Sequence, residues 1–198
     1  MEQLLRFVPA QARRIVLIGA AGGMAAGMMM ALVEMLYGAL NSTRSFWDSP
    51  MAIWSWVFGQ EHFTQNVPGE HVWPVVLGIG AHMANSMMAG VMFAAMATGL
   101  IGLLRRRNLD RLALDAAPIM LGVAWGLGLW AIMRYGILPL NAGEDDLFTT
   151  AIVTPQWVWW VAHAVLGMTA GLVFDFARRL APAPAQTTTL REATRRAV

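Results

Sequence analysis

Four long apolar runs, separated by polar segments, divide the chain. They cover Ile15 to Leu40, Val72 to Leu104, Ala116 to Leu138 and Trp157 to Leu180. Each run exceeds about 20 residues, the length of α-helix that crosses the hydrocarbon core of a bilayer. The pattern therefore predicts an all-α integral membrane bundle of four transmembrane helices, forming a single domain over residues 1–180.

A shorter apolar piece, Met51 to Phe58, lies inside the polar loop between the first two runs. It is too short to span, and Ser49-Pro50 before it is a plausible helix start. Nearby tryptophans favour a short interfacial helix or a re-entrant turn over residues 50–59. After the fourth run, residues 181–198 are rich in Ala, Pro, Thr and Arg, which is typical of a disordered tail.

Composition supports the membrane assignment and excludes several classes of function. Hydrophobic residues make up 57% of the chain and charged residues 13%, whereas soluble domains carry about 25% charged residues. There is no cysteine, so disulfides, iron–sulfur ligation and thiol chemistry are excluded. All positive side chains are arginine, without aromatic–basic interleaving, and we expect no nucleic-acid partner.

Arginine placement predicts the orientation of the helices. The loops at 41–71 and 140–156 hold one arginine, Arg44, against six acidic residues. The remaining loop and terminal arginines fall on the other side: 6, 13, 14, 105, 106, 107, 111, 178, 179, 191, 195 and 196. Under the positive-inside rule both termini are cytoplasmic, and we expect the protein in a bacterial cytoplasmic (inner) membrane.

A repeated motif suggests that a two-helix unit has been duplicated. Ala81-His82 and Ala162-His163 are each followed by Met at five residues after the histidine, Ala-Gly at seven and eight, and Phe at eleven. The first and third helices share the ending Tyr-Gly-x-Leu at Tyr37 and Tyr135. We therefore predict repeat units at about 15–107 and 116–180, related by an axis along the membrane normal.

Four ionisable residues are predicted to share one layer of the outer leaflet. At helical rise, Glu34, His82 and His163 lie about 9 to 12 Å inside the outer helix ends, and Arg134 lies about 6 Å inside. Because such groups are costly in lipid, we expect them to face one another inside the bundle. Further polar groups lie close to this layer: Asn85 and Tyr37 are about one helical turn from His82 and Glu34, and Tyr135 is adjacent to Arg134.

This layer has four interpretations, and the sequence leaves them open. In the structural one, Glu34 pairs with Arg134 and the histidines only fix helix register. In the second, His82 and His163 are axial ligands of one haem b, with Arg134 on a propionate. In the third, the histidines and Glu34 bind a transition metal. In the fourth, Glu34, His82 and His163 form a proton or cation path.

Methionine offers a further interpretation, because thioether sulfur is a soft ligand for copper(I). The chain has 15 methionines, but methionine is also a flexible packing residue. We predict packing for most of them, and a non-enzymatic function for the protein. The leading hypothesis is a small membrane subunit or accessory protein that contacts lipid and binds other membrane subunits or further copies of itself. The alternative is a proton or small-cation carrier or channel.

The histidine motifs also carry a family resemblance. Ala81-His82, Ala162-His163 and the helix exit at Arg178-Arg179 resemble the YagU-type family of uncharacterised bacterial inner-membrane proteins. The resemblance covers about half of the chain. It implies a small helical inner-membrane protein and no particular activity.

Overall fold

Four long helices form the bundle. The computed structural model describes residues 9–41, 46–51, 53, 72–107, 111–137 and 155–180. The four helices, which we number in chain order, are α1 (Ala10–Leu40), α2 (Val72–Arg106), α3 (Arg111–Ile132) and α4 (Gln156–Arg179). All are long and apolar enough to span a membrane, counting α3 with the π-helical turn Met133–Ile137 that follows it. The described residues contain no strand, so the predicted all-α membrane bundle is confirmed.

The structure also contains the start of the short helix that is predicted in the first polar loop. Residues 46–51 and 53, which we call the loop segment, are helical at 48–51 and 53. The amide of Met51 donates to the carbonyl of Trp47 at 3.2 Å, and the Met51 side chain is buried. The remainder of the predicted piece, from residue 54, lies outside the described residues, as does the tail at 181–198.

Glycine faces allow the helices to approach closely. Helix α1 packs against both α2 and α4, and α3 packs against α4. A Cβ at Gly23 would overlap the backbone of α2 at Ser86, and one at Gly126 would overlap the backbone of α4 at His163. Such backbone-to-backbone contact through small residues is typical of helix association in membranes, where no hydrophobic effect drives the helices together.

Polar contacts gather at one end of the bundle. Arg14, near the start of α1, donates to the carbonyl of Ala177 near the end of α4 at 3.0 Å. Arg178 pairs with Asp175 at 2.6 Å and lies 3.8 Å from Asp115 at the start of α3. We call this the arginine end. The side of the membrane that it faces, and the inner-membrane location, remain predictions from arginine placement.

Candidate ligand-binding site

The carboxyl group of Glu34 is buried in the half of the bundle remote from the arginine end. Glu34 lies six residues before the end of α1 and is 5% exposed. The Ser49 hydroxyl of the loop segment hydrogen-bonds to this carboxyl. The Oε1 atom of Glu34 has no hydrogen-bond partner among the described residues. Among the described residues, one buried carboxyl oxygen of Glu34 is therefore left without a hydrogen-bond donor.

The imidazole of His82 lies on α2 and reaches α1. Its Nε2 atom is 3.0 Å from the carbonyl oxygen of Gly27, and the side chain is 9% exposed. The acceptor is the backbone carbonyl, so Nε2 carries the hydrogen. A Cβ at residue 27 would overlap the Ser86 side chain, so only glycine leaves room for this contact.

Glu34 and His82 line a common pocket of about 400 Å³ between α1, α2 and the loop segment. Its other walls are apolar except for Ser49. Four methionines contribute to the lining: Met24, Met28, Met35 and Met83. Met28 is 55% exposed on the outer surface of the bundle, so the pocket opens sideways between α1 and α2. In a spanning bundle this opening faces lipid.

His163 is buried in a separate aromatic cluster. Its Nδ1 atom is 2.9 Å from the carbonyl of Trp159 on the same helix. Its ring lies 5.0 Å from the ring of Trp130, which stacks on Trp159 at 5.4 Å. His163 and His82 are within electrostatic range of each other, but His163 does not line the pocket. Both histidines are thus buried, as predicted, but His163 lies outside the pocket that His82 lines.

The proposed metal and haem sites gain no support from this geometry. In the part of the chain that the structure describes, no group of three or more His, Cys, Asp or Glu side chains could hold a metal ion. Glu34, His82 and His163 are thus not grouped in this way among those residues, and the metal site stays a prediction. For haem, each imidazole has one nitrogen on a backbone carbonyl, and the described pocket that His82 lines does not extend to His163.

Other members of the predicted polar layer lie elsewhere. Asn85 is exposed on the surface of α2, and Tyr135 is 65% exposed, so neither side chain faces the interior of the bundle. Arg134 is half-buried in the π-helical turn, and no described ion pair joins it to Glu34. Tyr37 is half-buried, with its ring edge-on to Trp157 at 5.8 Å. Residue number along a helix predicts relative depth, whereas burial also depends on the direction of the side chain around the helix.

Two residues of the site were not identified from the sequence. The sequence indicates Ser49 only as part of a helix start, whereas in the structure it lies within the helical turn and hydrogen-bonds to Glu34. Ser86 packs its side chain against Gly27. The repeated motif contains a signal for Ser86. Ser86 lies four residues after His82, and the corresponding residue four after His163 is Gly167.

The chain was compared with protein-family models, with curated proteins and with solved structures, and no match was found. The YagU-type resemblance therefore stays a hypothesis that rests on Ala81-His82, Ala162-His163 and Arg178-Arg179. The features of the described residues that bear on function are the pocket and its buried carboxyl group.

Proposed function

We propose that this integral membrane protein binds a lipophilic cation, an apolar molecule with an amine head group, in the pocket between α1 and α2. The observation that carries the proposal is the buried Glu34 carboxyl, whose Oε1 atom has no partner among the described residues. A buried acceptor without a partner lowers stability. A ligand that donates a hydrogen bond to Oε1 would remove that penalty.

The positive charge of the ligand's head group is inferred from the negative charge of the Glu34 carboxylate. A carboxylate in a low-dielectric interior is stabilised by an opposite charge within hydrogen-bond distance. No described ion pair supplies one to Glu34. His82 is not a partner, because its Nε2 contacts Gly27 instead. A ligand ammonium group would supply both the charge and the hydrogen bond.

The apolar body of the proposed ligand is inferred from the side chains that line the pocket. Methionine side chains are flexible and polarizable, and they are common on surfaces that accept ligands of varied shape. The exposed positions of Met24, Met28 and Leu32 place the entrance on the surface of the bundle that would contact lipid. A ligand that partitions into the bilayer would thus reach the site laterally.

Binding can be tested with decylamine and decanol, which share a ten-carbon body and differ in the charge of the head. The protein, labelled with ¹³C-methyl methionine, is placed in lipid nanodiscs, and the Met35 and Met83 methyl signals are followed by NMR. A hydrogen bond to a charged group contributes about 1.5–3 kcal/mol. We therefore expect decylamine to half-saturate the shifts at roughly a tenfold lower ratio to lipid than decanol, or lower still.

Glu34→Gln is the informative variant, and Asp115→Asn, at the arginine end, is its matched control. Glu34→Gln should reduce the affinity for decylamine to that for decanol, whereas Asp115→Asn should change neither. Equal titrations of amine and alcohol in the unaltered protein would contradict the proposal. So would a preference for the amine that survives Glu34→Gln.

A second candidate function is a proton or small-cation carrier. It is supported by the presence of Glu34 and His82 on one pocket, although His163 lies outside it. Proteoliposomes that contain a pH-sensitive dye would test this candidate. Proton flux that exceeds that of empty liposomes and is lost in Glu34→Gln would favour it, and flux equal to that of empty liposomes would exclude it.

The role of accessory subunit, and haem or metal binding, stand as proposals with weaker support. The accessory role is consistent with the large apolar side chains that α1 and α2 expose. Co-purification with a larger complex would favour it. A Soret band that is lost in His82→Ala, or stoichiometric metal in the purified protein, would favour a cofactor.

A further inference from the structure

An exposed asparagine lies in the middle of α2. Asn85 is 13 residues from the start of the helix and 21 from its end, about 20 Å and 31 Å at helical rise. Because the hydrocarbon core is about 30 Å thick, a side chain at this position faces lipid tails. No described residue forms a hydrogen bond with the Asn85 amide. Its two donors and its acceptor oxygen therefore need partners other than the described residues of this chain.

A heptad series of exposed residues begins at Asn85, within a wider exposed face of α2. Alternating steps of three and four residues from Asn85 give Met88, Met92, Ala95, Gly99 and Gly102, and all of these are exposed. This is the spacing of the seam of a left-handed coiled coil, with Asn85 at an a position. Cβ atoms built at Gly99 and Gly102 would meet nothing within 4 Å. We call these six residues the Asn85 seam.

The geometry points to a second copy of this chain as the occupant of the Asn85 seam, packed as a parallel α2–α2 dimer. Copies inserted in one membrane share an orientation, so two α2 helices related by a twofold axis along the membrane normal run parallel. Asn85 of one copy then lies opposite Asn85 of the other. An amide is both a donor and an acceptor, so this pair is self-complementary.

The small residues of the Asn85 seam suit this packing. Ala95, Gly99 and Gly102 allow the two backbones to approach closely toward the arginine end. Met88 and Met92 can adapt as the packing residues between these positions and Asn85. A single asparagine at an a position is known to set both register and oligomeric state in parallel coiled coils. The same residue thus explains why the partner is a second copy and not only lipid.

The natural absence of cysteine makes cross-linking a direct test. Single cysteines are placed at Met88, on the seam, and at the adjacent exposed Met87, off the seam. Disulfide formation by a mild oxidant is measured in native membranes. We expect Met88→Cys to give a band of twice the monomer mass, and Met87→Cys to give little, because a disulfide needs Cα atoms within about 7 Å.

The amide is tested separately by energy transfer between labelled copies in detergent micelles. Asn85→Leu should weaken the dimer about 3- to 30-fold, the range measured for single side-chain hydrogen bonds between membrane helices. Asn85→Gln should restore most of the affinity. Equal cross-linking at residues 87 and 88 would overturn the proposal. So would an Asn85→Leu affinity equal to that of the unaltered protein, or a Met88→Cys adduct only with a protein of another mass.

Discussion

The Nε2 atom of His82 lies 3.0 Å from the carbonyl oxygen of Gly27, and this contact joins α2 to α1 across 55 positions of sequence. His163, at the corresponding place in the repeated motif, instead contacts the carbonyl of Trp159 on its own helix. The two histidines therefore make different contacts. His82 couples two helices, whereas His163 packs within an aromatic cluster.

This difference predicts unequal effects of the same substitution. His82→Phe keeps an aromatic ring and removes a cross-helix hydrogen bond, so it should lower the free energy of unfolding by about 0.6 to 1.7 kcal/mol, as for other interhelical bonds in membranes. His163→Phe removes only a bond within α4 and should cost less. Reversible unfolding in mixed micelles measures both. Equal losses would mean that the contact with Gly27 adds nothing to the association of α1 and α2.

A pair of glycines on α3 separates close packing from backbone flexibility. A Cβ at Gly126 would overlap the backbone of α4, whereas one at Gly128 would meet nothing within 4 Å. We expect Gly126→Ala to destabilise the bundle by about 1–3 kcal/mol, the range for overpacking. Gly128→Ala should be neutral or stabilising, because alanine favours the helix. The same unfolding assay reports both variants, and a neutral Gly126→Ala would contradict the close α3–α4 contact.

The helices could be predicted from the sequence because one physical requirement sets them. Lipid excludes unsatisfied backbone groups, so each apolar run of sufficient length forms a helix. The observed start of α2 at Val72 and the end of α1 at Leu40 agree with the predicted positions. At Ala10 the helix begins five residues before the predicted Ile15, because the helix continues through Arg13 and Arg14 into the polar region.

The site could be predicted only in part, because the burial of a side chain depends on its direction around the helix. Depth alone grouped Asn85 with His82, yet one is exposed and the other buried. The buried series at His82, Ser86 and Gly90 follows the four-residue spacing of a helix face. The contact between Ser49 and Glu34 had no signal in the sequence, because it depends on how the loop segment folds back on the bundle.

Gly78 holds the loop segment against α2. A Cβ at this position would overlap the carbonyl of Pro50, whereas one at Gly80, two residues away, would meet nothing within 4 Å. Gly78→Ala should therefore displace the loop segment and expose Met51, which is 1% exposed in the native arrangement. A strain of about 1–3 kcal/mol corresponds to roughly a 5- to 150-fold larger open population.

Thiol labelling measures this displacement, because the chain has no other cysteine. A cysteine introduced at Met51 should react with a maleimide faster by that factor when Gly78→Ala is present, and at an unchanged rate with Gly80→Ala. Equal rates in the two backgrounds would show that the loop segment is not seated on Gly78.

Two carboxylates at the arginine end should contribute unequally to stability. Asp175 is 9% exposed and accepts hydrogen bonds from Arg178 at 2.6 Å and from Arg179 at 2.7 Å. The Asp115 side chain is 44% exposed and lies 3.6 to 3.8 Å from the same guanidinium groups. The bond to Arg178 is partly shielded from solvent, and charged hydrogen bonds of this kind contribute about 1.5–3 kcal/mol. Exposed ion pairs contribute under about 1 kcal/mol and are screened by salt.

Asp175→Asn should therefore lower the free energy of unfolding more than Asp115→Asn. Raising the salt concentration should reduce the loss caused by Asp115→Asn by a larger fraction than the loss caused by Asp175→Asn. A larger loss for Asp115→Asn than for Asp175→Asn would mean that the exposed ion pairs of Asp115 hold α3 against α4.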